Sequence, residues 1–320
     1  MFALRAIAVS LATFAVVYCA SSLAVYFGWS RIRRWARQLP MRRLADLLFA
    51  VRTLPFILAA MVTAVFAVPS FLLLEPRGID EPLGAIPLAL GLCGAAIGVY
   101  GAANALSGIA RASRMIASWS DRAKRFPCAA DAPFDVPILR IEPVAPAMTA
   151  AGIIHPIIMV SGAAESLLAA GELQTALNHE LAHVRRWDNL KKLLLRCVAF
   201  PRMSGLETAW LEATEMAADD AAVSSPSEAL DLAAALIKLS RLATVETHLD
   251  LTCALVPRPA SNLNARVERL LSWSEARQVR TKSFSLWYGL AAALGTAAIC
   301  AVTYSQLLVH VHTATEWLVR

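Results

Sequence analysis

Charge is what this sequence has least of, and its absence is patterned. Only 17% of the 320 residues are Asp, Glu, Lys or Arg, against 58% hydrophobic. Four runs carry no charged residue at all: Ile7–Trp29, Thr53–Leu74, Pro82–Ala110 and Ser283–Val309. This excludes an ordinary soluble domain. A helix needs about 20 apolar residues to cross a hydrocarbon core of ~30 Å, and each run is long enough. Backbone in lipid must satisfy its own hydrogen bonds, so each run is expected to be a transmembrane helix. The first run also has features of a cleaved signal peptide, with Arg5 ahead of it and small residues at Ala20–Ser22. Its continuation through Tyr26–Trp29, and the Arg-rich segment that cleavage would leave on the wrong side, favour a retained span.

Cysteine pairs are missing as well. Cys19, Cys93 and Cys300 lie inside the uncharged runs, and Cys128, Cys197 and Cys253 are far apart with no CxxC. This excludes a disulfide framework and a zinc ribbon and suits a reduced cytoplasmic segment. There is no internal repeat and no low-complexity tract.

The charge that is present alternates along the chain. Arg31, Arg33, Arg34, Arg37, Arg42 and Arg43 follow the first run, whereas Glu75, Asp80 and Glu81 outnumber Arg77 after the second. Arg111, Arg114, Arg122, Lys124 and Arg125 follow the third, and Arg277, Arg280 and Lys282 precede the fourth. Basic residues stay on the cytoplasmic side. The expected topology has both termini and the second loop outside, and the first loop and the large third segment inside, in a bacterial-type inner membrane. The net charge of +6 is then a topology signal, and no nucleic-acid partner is expected. The domain plan is three spans within 1–110, a cytoplasmic domain at 111–282, a fourth span at 283–309 and a short external tail at 310–320.

Only the third segment is long enough to fold as a globule. Val136–Pro143 and Met148–Val160, rich in Val and Ile and punctuated by Pro and Gly, predict two or three short strands. After a break at Gly171 the pattern turns helical: Glu172–Trp187, then Leu206–Val223. Ser225-Pro226 reads as an N-cap with Pro at the first helical position, opening a helix to about Leu242. Thr244–Pro259 is irregular, and Leu263–Ala276 is helical again. The fold class is a mainly helical α+β domain between spans three and four of an α-helical integral membrane protein.

The first of these helices carries His179-Glu180-Leu181-Ala182-His183. Histidines at i and i+4 share one helix face and can chelate a single ion. Glu180 can face the open coordination position as general base. A catalytic zinc of this type has three protein ligands, and one zinc per chain is expected. Glu215 on the next helix is the preferred third ligand and Glu212 its rival. Only Glu215 has an acid at i+4, Asp219, placed to accept a hydrogen bond from a ligand histidine. The bland alternative is a pair of half-buried histidines beside a solvated acidic helix. His310 and His312 lie beyond the last run, away from the metal, and His248 reads as surface. His155, in a predicted strand beside Pro156, is a candidate substrate contact.

At these residues the chain resembles the BlaR1/MecR1-like membrane zinc metallopeptidases (peptidase family M56), relatives of the Ste24/HtpX peptidases (family M48). The resemblance is carried by His179–His183 with Arg185-Arg186-Trp187-Asp188-Asn189, by Glu215–Asp219 continuing into Ala221-Ala222-Val223, by Gly152 with Pro156–Ser161 upstream, and by Asn262, Arg266-Val267 and Arg269–Leu271 downstream. It covers roughly residues 136–275. It implies a gluzincin fold with an edge strand that holds extended peptide, and Asp188 as a further partner of a ligand histidine. The antibiotic-sensing members carry a penicillin-binding domain after the last span. Here about ten residues follow Val309, without a Ser-x-x-Lys motif, so direct β-lactam sensing is not expected.

The functional expectation is a membrane-embedded zinc endopeptidase that cuts a cytoplasmic or membrane-proximal protein in regulatory signalling. A transcriptional repressor is one candidate substrate. The alternatives are a housekeeping protease of membrane-protein quality control and a catalytically inactive metal-binding receptor or scaffold. An intact Glu180 argues against the last.

Overall fold

The architecture comes from a computed structural model that describes residues 2–36, 38–75, 84–120, 124–125, 136–141, 147–198, 200–242, 253–254, 261–273, 304 and 306–315. The chain divides into two compact units. One comprises Met1–Arg31, Val51–Gly101 and Val279–Arg320, the other Ile32–Ala50 and Ala102–Gln278.

The first unit is helical. Helix α1 spans Phe2–Ala36 and α2 Met41–Val62; a π-helical turn at Thr63–Ala67 leads into α3, Val68–Leu74, and α4 runs Ala85–Ser120. Three stretches are long and apolar enough to cross a membrane: Phe2–Arg34, Met41–Leu74 and Ala85–Trp119. They contain the first two uncharged runs and the third from Ala85 onward, and overrun them at the Arg-bearing ends. Most of the fourth expected span, 283–309, lies outside the described residues, as does His248; residues 306–315 are helical.

Local chemistry shapes this unit. Pro69 lacks the N–H that an ordinary helix would give to the Val65 carbonyl, and the Tyr304 hydroxyl donates to that carbonyl at 2.9 Å. A Cβ at Gly94 would run into the Leu11 carbonyl, so α1 and α4 approach closely there because Gly94 has no side chain. Near the start of α1, Arg5 pairs with Glu75 at 3.0 Å. Glu75 also lies 4.0 Å from His312. The beginning of α1, the end of α3 and residues 306–315 therefore share one end of the unit.

The second unit contains a small sheet covered by helices. Its strands are β1 (Lys124–Arg125), β2 (Ile138–Ile141), β3 (Met148–Ala151), β4 (Ile157–Ser161) and β5 (Cys253–Ala254), in the order β1-β2-β4-β3-β5. Only β2 and β4 run parallel; the other pairs are antiparallel. The helices are α5 (Gly162–Leu167), α6 (Ala170–Arg185), α7 (Asp188–Cys197), α8 (Ser204–Ala222), α9 (Pro226–Leu242) and α10 (Ser261–Leu271). Ile138, Met148, Ile158 and Val160 pack with Ala176, Leu177 and Leu181 of α6 and with Leu232, Leu236 and Leu239 of α9. On another cluster, Ile141, Ala151 and Met159 meet Trp119 at the end of α4.

The strand and helix expectations hold in outline, except that β5 falls within Thr244–Pro259, expected to be irregular, and with three further corrections. Gly171 is no break: α6 starts at Ala170, and Gly171 is small because a Cβ there would sit 2.7 Å from the Asp231 carboxylate of α9. The motif helix does not run through Trp187, which adopts φ 57° and separates α6 from an additional helix, α7. His155 lies exposed between β3 and β4, not in a strand.

Candidate metal centre

Helix α6 is anchored at its first turn. The Glu172 carboxylate accepts the Ala169 N–H at 2.8 Å, and Lys238 of α9 donates to both its oxygens, at 2.6 and 2.8 Å. A carboxylate there answers the unpaired N–H groups and positive end of the helix. Two turns on, His179 and His183 present their rings on one face, 0% and 1% exposed. Their Nε2 atoms stand 3.1 Å apart. Glu215 of α8 completes the cluster, its Oε2 3.6 Å from His179 Nε2 and its Oε1 3.6 Å from His183 Nε2. This buried His179, His183 and Glu215 group can hold a metal ion. Glu212, the rival ligand, is exposed on α8.

Proton bookkeeping supports the fit. His183 Nδ1 lies 2.8 Å from Asp188 Oδ2. His179 Nδ1 lies 3.0 Å from Asp219 Oδ1, although the angle falls short of an aligned hydrogen bond. A carboxylate beside Nδ1 draws the ring proton to that side. Both Nε2 lone pairs then face each other and the Glu215 oxygens, an arrangement that is repulsive without a cation among them. Ligands at the usual zinc distances in tetrahedral array stand about 3.3 Å apart, between the 3.1 and 3.6 Å seen here. The sequence placed Asp219 and Asp188 as partners of ligand histidines, and the structure brings each to one ring.

Glu180 is fully buried beside this group. Its Oε2 accepts the Ala150 N–H of β3 at 2.6 Å, and its Oε1 has no hydrogen-bond partner among the described residues. Burial pushes its carboxyl upward, against the pull of His183 and His179. Burial would raise Glu215 too, but His183, His179 and Arg266 around it hold it down at about 2. Asp219 is likewise driven well below the usual carboxylate range. Burial opposes that shift, and Arg266 and His179 override it.

Arg266, 1% exposed on α10, belongs to the site and was not assigned to it from sequence. Its Nε and Nη2 donate to Asp219, and its Nη1 donates to Glu215 Oε2 at 3.2 Å. A signal existed. Leu263, Val267 and Leu270 form the apolar face of α10 that packs on the core, and Arg266 interrupts that face at helical spacing. A cation there must meet buried acids. His155 is not part of the cluster.

Compared with known proteins, the chain matches no family model and no curated sequence.

Proposed function

We propose that this chain is a membrane-embedded zinc endopeptidase of the gluzincin type, akin to family M56, that cuts a cytoplasmic or membrane-proximal protein. The observation that carries the reading is one buried cluster. Two imidazoles one turn apart and a carboxylate from a second helix converge, with an acid one residue after the first histidine beside them. His179, His183 and Glu215 are the ligands. A zinc ion bound there would supply Lewis acidity toward water and toward a peptide carbonyl.

The chain's own groups account for the proton traffic. Glu180 offers Oε1 to the attacking water, takes its proton as the C–O bond forms, and returns that proton to the amide nitrogen as the C–N bond breaks. Burial, which raises its affinity for protons, helps it hold the proton between the two steps. Asp219 and Asp188 keep both ligand rings in the tautomer that leaves Nε2 free.

The membrane part of the proposal is four spans with the residues between the third and fourth in the cytoplasm. The Arg/Lys alternation supports this, and so does the meeting of Arg5, Glu75 and His312, which the topology places on one side. Regulatory cleavage, for instance of a transcriptional repressor, is preferred over housekeeping proteolysis because of the Arg185–Asp188 run. The test is a comparison of cells carrying the native protein or Glu180→Gln. One or a few full-length proteins should accumulate with the variant. A broad accumulation of misfolded membrane proteins would favour housekeeping, and unchanged protein profiles would favour a metal-braced scaffold.

A further inference from the structure

We propose that Asn189 is a positioning residue for this reaction, acting on Glu180 through strand β3; the inference rests on the peptidase reading above. Asn189 is 8% exposed and follows Asp188, which is fully buried. The left-handed Trp187 turns the chain so that both begin α7. Asp188 reaches back to His183, whereas Asn189 reaches the strand. Its Nδ2 donates to the Ala150 carbonyl at 3.2 Å and to the Gly152 carbonyl at 3.0 Å. Both neighbours are acceptors, so only the amide nitrogen can face them.

Ala150 is also the residue whose N–H holds Glu180 Oε2 at 2.6 Å. In the β3·β4 ladder Ser161 N–H donates to the Ala147 carbonyl, and Thr149 pairs with Met159. Residues 147, 149 and 151 thus turn their backbone groups to β4, and 148 and 150 turn theirs the other way. The N–H and C=O of Ala150 leave the ladder on the same side, where β5 pairs Cys253 with Ala150. Glu180 also accepts that N–H, and Asn189 also donates to that C=O. Gly152, at φ +90°, lets the chain bend so that its carbonyl shares the same amide; a side chain there would be strained and would strike the His155 carbonyl.

One short peptide segment is therefore pinned from both ends, by the base and by the residue after a ligand's partner. Asn189 fixes where the Ala150 N–H points. That N–H in turn fixes which oxygen of Glu180 is held and which is left for water. Removing the amide takes a shared side-chain donor from both carbonyls, and this end of the strand shifts or tilts in response. Misplacement of a reacting group by even 1 Å can cost about 100-fold in rate.

The test compares Asn189→Ala and the isosteric Asn189→Asp with the native protein, as full chains in detergent with metal content measured on each. Expected is a kcat per metal-loaded site lower by roughly 10–100-fold, KM changed by less than about threefold, and metal still near one per chain. A second readout needs no turnover: the infrared carboxyl band of Glu180, identified by its loss in Glu180→Gln, should shift in both Asn189 variants. Unchanged band and unchanged kcat per loaded site would overturn the proposal, as would activity lost only in step with metal. A shifted band in a protein whose native form hydrolyses nothing would uphold the positioning role and sink the peptidase reading instead. Should Asn189→Ala fail to fold, Asn189→Asp carries the comparison.

Discussion

Asp219 grips Arg266 with both carboxylate oxygens, Nε to Oδ2 at 2.8 Å and Nη2 to Oδ1 at 2.6 Å. A planar fork on a carboxylate is a geometry that lysine cannot reproduce. Replacing Arg266 by Met leaves two buried acids of α8 without their cation, and breaking a buried pair in this way costs about 3–5 kcal/mol. Thermal unfolding of Arg266→Met should show a large loss, and Arg266→Lys should recover only part of it. Added zinc should raise the melting temperature of both, because a cation bound by Glu215 offsets part of the missing charge. Native-like melting of Arg266→Met would show that the fork contributes nothing.

The same Asp219 separates two neighbouring acids by role. Asp219→Asn should keep the fold but weaken metal affinity or activity by roughly 10–100-fold, the usual cost of losing a ligand's hydrogen-bond partner. Asp220, on the exposed side of α8, pairs instead with Arg269 at 2.6 Å. Its replacement by Asn should be nearly silent, since exposed pairs contribute little. Metal titrations of the two variants side by side decide it. Damage from Asp220→Asn alone would reverse the assigned register.

For the third ligand, Glu215→Ala should release most of the metal, whereas Glu212→Ala retains it. Glu215 lies in the cluster and Glu212 faces solvent. Elemental analysis of the dialysed variants is the check, and metal loss in Glu212→Ala only would move the ligand by one turn.

Glu172 links stability to pH. Burial would raise its carboxyl, but the Lys238 hydrogen bonds and the Ala169 amide hold it below the ordinary value. A depressed folded-state pKa adds stability above the unfolded pKa of about 4.3, and that stability fades as pH falls through the folded value. Glu172→Gln should therefore be less stable than the native chain at neutral pH by about 1–2 kcal/mol. The gap should close on acidification below pH ~4. A gap that is constant with pH would remove Glu172 ionisation from the account.

The motif was legible because i, i+4 spacing is a property of the helix itself. His179, His183 and Glu180 needed only their own segment, and Asp219 needed only the period of α8. Three apolar helices were equally plain from missing charge. What escaped reading depended on contacts distant in sequence. The Arg266 partners lie 47 and 51 residues away, and the Asn189 acceptors 37 and 39. The break between α6 and α7 falls on a tryptophan with positive φ, a conformation its residue type does not favour. Gly171 was mistaken for a helix break because close packing against Asp231 and a helix end both select glycine.

The central claim is that Glu180 is the base and not a ligand, beside a metal held by His179, His183 and Glu215. The most direct measurement is the peptide-cleavage rate of Glu180→Gln at a metal content matched to the native protein. The account predicts about one zinc per chain retained and cleavage reduced at least 100-fold, the scale of general-base catalysis. Metal loss equal to that of His179→Ala, or cleavage at the native rate with metal in place, would contradict it.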